Sequence, residues 1–274
     1  MQWFINYQQD SVSPSDRGLA YGDGLFETIQ ASQQGFRQLD DHFMRLSRGL
    51  KKLAMPFSIE QFSELRAFLM QKILPLVQSA SVVKVIVTRG EGGRGYLPPV
   101  TCTHNVFVGL TPAPNYQELM RSGVAIGVSD VPVSANPFLA GMKHLNRLEN
   151  VLAKQRLWSV NFEDVMLNVH GYVVECIQSN IFWFKKGILY TPSLSQSGVQ
   201  GIYRSRILKT QSLYGVVVGD FSLDNLKQAD EIFITNSLMG IVPVISILES
   251  SIPIGINTQR LQQLMKSKDV HGIS

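Results

Sequence analysis

The sequence predicts an α/β fold in two domains. Three observations carry that prediction. Runs of β-branched and aromatic residues, such as Val82-Val83-Lys84-Val85-Ile86-Val87-Thr88, alternate along the chain with segments whose apolar residues recur at helical spacing. Thr111-Pro112-Ala113-Pro114-Asn115 reads as a linker and divides the chain into a smaller domain, 1–115, and a larger one, 116–274. The 274 residues, 45% hydrophobic and 17% charged, suffice for one large core or two smaller ones.

Composition narrows the function classes. The net charge is +4 with the basic residues scattered, so there is no nucleic-acid tail, though a modest positive bias suits an anionic small molecule. Cys102 and Cys176 are the only cysteines, too few for a cysteine metal site or a disulfide framework, which points to a reducing, cytoplasmic setting. Residues 1–10 lack the basic and apolar stretches of a signal peptide. No run of about 18 apolar residues suggests a membrane span.

In the first half, residues 3–7 read as a short strand and 16–24 as a glycine-punctuated loop. Residues 25–31 alternate as a strand, and Gln33-Gln34-Gly35 turns the chain back. Thr28 falls on the same face as Phe26. Asp40-Asp41 cap a helix whose face is Phe43, Leu46, Leu50 and Leu53, with Arg45 beside it. Ser58-Ile59-Glu60-Gln61 is a capping-box start for a helix reaching about Leu74. Residues 82–88 form a buried strand. It opens into Arg89-Gly90-Glu91-Gly92-Gly93-Arg94-Gly95-Tyr96, too rich in glycine for a packed element. This is either a plain surface loop or one that presents Arg94 and Tyr96 to a carboxylate. Residues 104–110 are a further strand.

In the second half, residues 124–133 read as a strand. Gly141-Met142-Lys143 is a turn, with an amphipathic helix directly after it that ends near Val160 and packs Leu145, Leu148 and Leu152 inward. Lys143 is then either a snorkelling surface residue or an amine in a partly dry site, where a lowered pKa would make it a nucleophile toward carbonyls. Residues 164–169 and 172–176 form a tight hairpin about His170-Gly171. Glu175, at its end in an apolar setting, needs a cationic partner if buried. Residues 179–184 and 188–190 are strands. Residues 197–204 read as a loop entering a helix, where exposed backbone N–H groups would suit phosphate. Residues 230–235 and 241–245 are strands joined by Asn236-Ser237-Leu238-Met239-Gly240. Thr258 caps a last helix bearing Leu261, Leu264 and Met265.

Several of these runs together resemble one family. Lys143-His144-Leu145-Asn146-Arg147-Leu148-Glu149 is similar to the Schiff-base lysine segment of the fold-type IV pyridoxal-phosphate enzymes. Arg17-Gly18, Tyr21-Gly22-Asp23-Gly24-Leu25-Phe26-Glu27, the His42, Arg45, Leu46 pattern and Gly171-Tyr172-Val173-Val174-Glu175 resemble further segments of that group. The resemblance covers nearly the whole chain and is strongest toward the lyase branch, which acts on aminodeoxychorismate.

The resemblance implies pyridoxal 5'-phosphate at the junction of the two domains. It implies that Lys143 carries the cofactor and acts as base, with Thr28 assisting catalysis. Glu175 would face the pyridine nitrogen. Arg45, Asn180, the Ile202 backbone, Asn236 and Ser237 would complete the cofactor site, Arg45 at the phosphate. Tyr203 departs from the threonine of the family's Gly-Ile-Thr-Arg run. Arg94 and Tyr96 would bind substrate, reaching into the neighbouring subunit of a homodimer. The alternatives are a branched-chain or D-amino-acid transaminase with the same cofactor residues, and a non-catalytic binding protein that keeps the fold. The intact set Lys143, Glu175 and Arg45 argues against the last. A small-molecule substrate is implied, with no metal, nucleic acid or membrane partner.

Overall fold

A computed structural model describes residues 2–8, 11–158, 160–210 and 214–270. Of the N-terminal stretch read for a signal peptide, Met1, Gln9 and Asp10 lie outside the described residues. The chain divides into two units. One spans Met1–Pro114 and takes in Met142–Asn146; the other spans Asn115–Gly141 and Arg147–Lys268.

The first unit comprises β1 (Gln2–Ile5), α1 (Arg17–Tyr21), β2 (Gly24–Ser32), β3 (Gly35–Phe36), α2 (Leu39–Lys52), α3 (Ile59–Phe68), β4 (Ser81–Thr88) and β5 (Asn105–Pro112). Its sheet runs β1-β5-β4-β2-β3, antiparallel throughout. Alternation sets its faces. Leu25, Glu27, Ile29 and Ala31 of β2 are buried, while Phe26, Thr28 and Gln30 are half-buried on the other side. Leu39, Phe43, Leu46 and Leu50 of α2 are buried as a helical stripe.

Local capping starts one helix, and other groups start two. Ser58 forms the expected capping box with Gln61. Asp40 and Asp41 do not cap α2: Gln38 occupies the N-cap, and the two carboxylates lie in the first turn, where they favour the helix dipole. Thr258 does not cap the last helix, which begins at Ile256. The Glu231 carboxylate accepts there from the backbone N–H groups of Asn257 and Thr258 and from the Asn257 side chain.

The second unit comprises α4 (Gln117–Ser122), β6 (Val124–Val128), α5 (Leu148–Arg156), β7 (Glu163–Leu167), β8 (Val173–Cys176), β9 (Asn180–Lys185), β10 (Ile188–Pro192), α6 (Ile202–Leu208), β11 (Val216–Gly219), α7 (Leu223–Lys227), β12 (Glu231–Asn236), β13 (Gly240–Ile247), β14 (Ser250–Ser251) and α8 (Ile256–Val270). Its mixed sheet runs β11-β10-β9-β12-β13-β6-β7-β8, with β14 on β13. One core holds Ile126, Val165, Ile181, Trp183, Ile234 and Val244; a second holds Phe182, Phe184, Phe233, Leu261 and Met265.

Two expectations about residues 142–160 are corrected. The helix does not follow Lys143 directly; α5 starts at Leu148 and ends at Arg156, and Leu148 and Leu152 are exposed, at 76% and 48%. Lys143 was expected in the larger unit. Its segment instead groups with the first unit because it pairs with β2: the Phe26 N–H donates to the Lys143 carbonyl at 2.9 Å, and the Leu145 N–H to the Gly24 carbonyl at 3.1 Å. Strand-like pairing of this kind is incompatible with the first turn of a helix.

Candidate active site

The first unit presents Lys143 on the Phe26 side of β2. Lys143 is half-buried, and its Nζ lies 4.3 Å from the centre of the Phe26 ring. An ammonium over an aromatic face gains from the ring quadrupole, so the amine is both located and partly dried. Thr28 follows Phe26 by two residues on the same half-buried side. Lys84 of β4 is the register partner of Thr28, with its Nζ 5.2 Å from the same ring. The alternation of β2 explains why Phe26 and Thr28 share a face; Lys84 comes from the neighbouring strand and is invisible to that pattern.

Behind them, the buried face of β2 carries a charged cluster. Arg45 donates from Nε to Glu27 Oε1 at 2.8 Å and from Nη2 to Glu27 Oε2 at 2.5 Å, while His42 Nδ1 lies 2.6 Å from Glu27 Oε2. Burial pushes the Glu27 carboxyl up, but the charge and hydrogen bonds of Arg45, joined by His42, outweigh it and bring it to about 2. For His42, burial outweighs the pull of Glu27 and lowers its pKa. The neutral ring then donates Nδ1–H to Glu27. Nε2, buried with no hydrogen-bond partner, keeps a lone pair where a protonated ring would bury an unpaired N–H.

The glycine-rich loop after β4 carries Arg94 and Tyr96, both exposed, Tyr96 at 88%. Its backbone closes on itself, the Arg94 and Leu97 amides each donating to the other's carbonyl at 3.1 and 3.2 Å. Gly93 has φ +77°, and a Cβ there would meet the Leu97 carbonyl at 2.1 Å, so this shape requires glycine.

In the second unit the Glu175 carboxylate is buried at the end of β8. Its Oε2 accepts from the Val199 N–H at 2.9 Å and from Asn180 Nδ2 at 3.5 Å, and Asn180 Nδ2 also donates to the Val199 carbonyl at 2.9 Å. Arg147 and Arg204 are its cationic surroundings. Burial lowers the Arg204 pKa to about 10 and also lowers that of Arg147, with Glu175 opposing both shifts. At about 10, Arg204 remains charged at neutral pH.

Gly201 is the N-cap of α6, with no side chain capping the helix, and Ile202 is its first residue. A Cβ on Gly201 would meet Asn180 Oδ1 at 2.0 Å, so glycine is what lets the backbone approach Asn180. Tyr203 is buried among Phe182, Phe184 and Phe233. Asn236 spends its Oδ1 on the Leu238 and Met239 amides, which shapes the turn carrying Ser237, and donates from Nδ2 to the Gln178 carbonyl at 3.3 Å.

The donor set fits pyridoxal phosphate chemically: a half-dry lysine, a buried carboxylate suited to a protonated ring nitrogen, arginines, and backbone N–H groups at an uncapped helix start. Within the first unit the structure gathers Lys143 and Thr28 about β2, with Arg45 behind the strand. Within the second it gathers Glu175, Asn180 and the Ile202 turn. Sequence reasoning assigned no individual role to Glu27, His42, Lys84, Arg147 or Arg204, although most of them stand within the motifs quoted from the chain. Glu27 and His42 could have been found, since a β2 glutamate on the inward face demands a cationic partner.

The family model described as amino-transferase class IV matches residues 24–247. An aminodeoxychorismate lyase of Vibrio harveyi is 37% identical over 96% of this chain and 98% of its own length. A D-alanine aminotransferase of Listeria monocytogenes is 30% identical over 88% of this chain and 83% of its own. The crystal structure of 4-amino-4-deoxychorismate lyase from Pseudomonas aeruginosa superposes with a TM-score of 0.90 at 37% identity, covering 97% of this chain and 98% of that one. With its mixed α/β architecture and the lysine and carboxylate sites above, the chain belongs to the class IV aminotransferase family, the fold-type IV enzymes.

Proposed function

We propose that the chain is a pyridoxal-phosphate-dependent lyase that converts 4-amino-4-deoxychorismate to 4-aminobenzoate and pyruvate, a step toward folate. The observation that carries this reading is the likeness, over almost the full length of both chains, to two proteins named as that lyase. When bound, pyridoxal phosphate supplies a carbonyl for the substrate's amine and a ring that accepts the electron pair released at the amine-bearing carbon.

The remaining work is assigned to side chains. Lys143 would hold the cofactor, and its amine takes the proton from the substrate's amine-bearing carbon as a general base. The Phe26 face beneath its Nζ keeps the amine close to that carbon's side of β2 and limits water. Glu175, fixed by Val199 and Asn180, holds the proton on the ring nitrogen. Arg45, the Ile202 N–H, Asn236 and Ser237 are assigned to the phosphate. Arg45 does so while its Nε and Nη2 pair with Glu27, which orients the guanidinium. Arg94 grips a substrate carboxylate by a bidentate contact, with Tyr96 beside it. Thr28 donates a hydrogen bond to the enolpyruvyl oxygen as the carbon–oxygen bond breaks. The proton lost to Lys143 leaves the product ring aromatic, and the released enolpyruvate takes up a proton to become pyruvate.

The protein acts on a small molecule. No helix among the described residues is long and apolar enough to cross a membrane. The quaternary reading is a cytoplasmic homodimer in which Arg94 serves the partner's site. The likeness to a D-alanine aminotransferase favours a second reading, a transaminase of D- or branched-chain amino acids.

One experiment separates them. Holoenzyme incubated with 4-amino-4-deoxychorismate should release 4-aminobenzoate and pyruvate in equal amounts. Release of neither, with amino transfer from D-alanine or valine to 2-oxoglutarate, would establish the transaminase instead.

A further inference from the structure

We propose that Arg17 is a positioning residue: it holds the loop 92–96 in its binding shape and through that loop sets the affinity for the acidic substrate. The second half rests on the assignment of Arg94 and Tyr96 to a substrate carboxylate. Arg17 lies in α1 and is buried, at 4% exposure. Its guanidinium donates from Nη1 to the carbonyls of Gly92 at 3.2 Å and Gly95 at 2.9 Å, and from Nη2 to the carbonyl of Tyr96 at 3.2 Å. Gly92 and Gly95 bracket Arg94, so one cation fixes the backbone on both sides of the substrate-binding arginine.

The cation is itself anchored. Its Nε donates to Asp23 Oδ2 at 3.0 Å. Arg89 donates to the same carboxylate, at 2.7 Å to Oδ2 and 3.1 Å to Oδ1, and to the carbonyls of Leu53 and Ala54 at the end of α2. Burial pushes the Asp23 carboxyl up, but hydrogen bonds and charge from Arg89 and Arg17 hold it below the usual carboxylate range. The Arg17 N–H donates to the Gly90 carbonyl at 2.9 Å, tying α1 to the root of the loop. The Tyr21 ring lies 4.9 Å from the Arg17 guanidinium carbon and 5.6 Å from the Tyr96 ring.

A loop that carries exposed side chains and three glycines in five residues has little packing to hold it. Three charge-assisted bonds to its carbonyls replace that packing. Freed from them, the loop must order itself on each binding event, which weakens binding without altering the chemical step.

The test compares holoenzyme with Arg17→Lys and with Arg94→Ala. Lysine keeps the charge, but its compact ammonium lacks the fork that spans Asp23 and three carbonyls. Two measurements are made: hydrogen exchange at the Arg94 and Leu97 amides, and kcat and KM with 4-amino-4-deoxychorismate. In Arg17→Lys the two amides should exchange at least roughly tenfold faster and KM should rise roughly tenfold, with kcat within about threefold and bound cofactor per chain unchanged. A purely structural role would lower the active fraction and leave KM alone.

Unchanged exchange overturns the proposal, as does faster exchange with unchanged KM. If Arg94→Ala raises KM and Arg17→Lys does not, the proposal fails while the substrate role of the loop stands. If neither raises KM, that role fails first. Should the lysine variant not fold, Arg17→Gln carries the same measurements, because its amide ends near the position of the arginine Nε, short of the three carbonyls, and buries no charge.

Discussion

Glu27→Gln removes one charge from the buried cluster behind Lys143, and its cost follows from the geometry. Glu27 accepts from Arg45 twice and from His42 once. A glutamine offers one carbonyl oxygen to those donors and turns an NH2 group against the rest. A carboxyl held at about 2 rather than its ordinary 4.5 favours the folded state by about 3 kcal/mol near neutral pH. Breaking a buried ion pair from one side costs about 3–5 kcal/mol, the same range. Because the folded pKa is depressed, this stability is fully present above pH 4.5 and is lost as pH falls through 2. About 1 kcal/mol of it is gone at pH 4 and about 2 kcal/mol at pH 3. At about 2–4 °C per kcal/mol, the variant should melt roughly 10 °C below wild type at pH 7, and the gap should narrow by about 3 °C at pH 4. Circular-dichroism melts at equal chain concentration with saturating cofactor read both values. A gap under 2 °C at pH 7, or one that widens on acidification, would refute the reasoning.

Three further outcomes are expected. Lys143→Ala should lose the visible absorbance that borohydride removes and nearly all turnover; mixed under subunit exchange with Arg94→Ala and assayed at substrate far below the raised KM of that variant, it should regain activity above the sum of the two, and absence of rescue with exchange shown would remove Arg94 from the partner's site. Glu175→Gln should fold and lose at least roughly tenfold in rate, an effect of at least about 1.4 kcal/mol, and an unchanged rate would mean that Glu175 does not face the ring nitrogen. Thr28→Val should keep cofactor and fold while pyruvate release falls roughly a hundredfold, with slow transamination much less affected; a wild-type rate would return Thr28 to an ordinary strand residue.

Much of the frame was legible because it rests on local pattern. The alternation of 25–31 places Phe26 and Thr28 on one face, and the Ser58 capping box starts α3 where the spacing says it must. What escaped was set by partners far along the chain. Asp23 meets Arg89 across 66 residues, and Glu231 takes over the start of α8 from Thr258 across 27. Arg45 was assigned to phosphate alone, yet its fork is oriented by Glu27 from the neighbouring strand. The helix after Lys143 failed for a different reason. Leu145, Leu148 and Leu152 have helical spacing, but spacing cannot tell that Lys143 and Leu145 are already paired to β2, which delays the helix to Leu148 and leaves its leucines exposed.

The loop between β4 and β5 also bears on how this enzyme could be changed. Gly92, Gly93 and Gly95 all hold positive φ, and Arg17 holds the carbonyls of two of them. The backbone is therefore fixed by residues that a library should leave alone, and the two side chains it carries, Arg94 and Tyr96, hang outside it. On the proposed assignment of both side chains to the substrate, varying only those two positions would exchange the chemical group that meets it while the scaffold stays in place. A chain evolving toward a less acidic substrate has the same short route: two codons, with no new backbone to build.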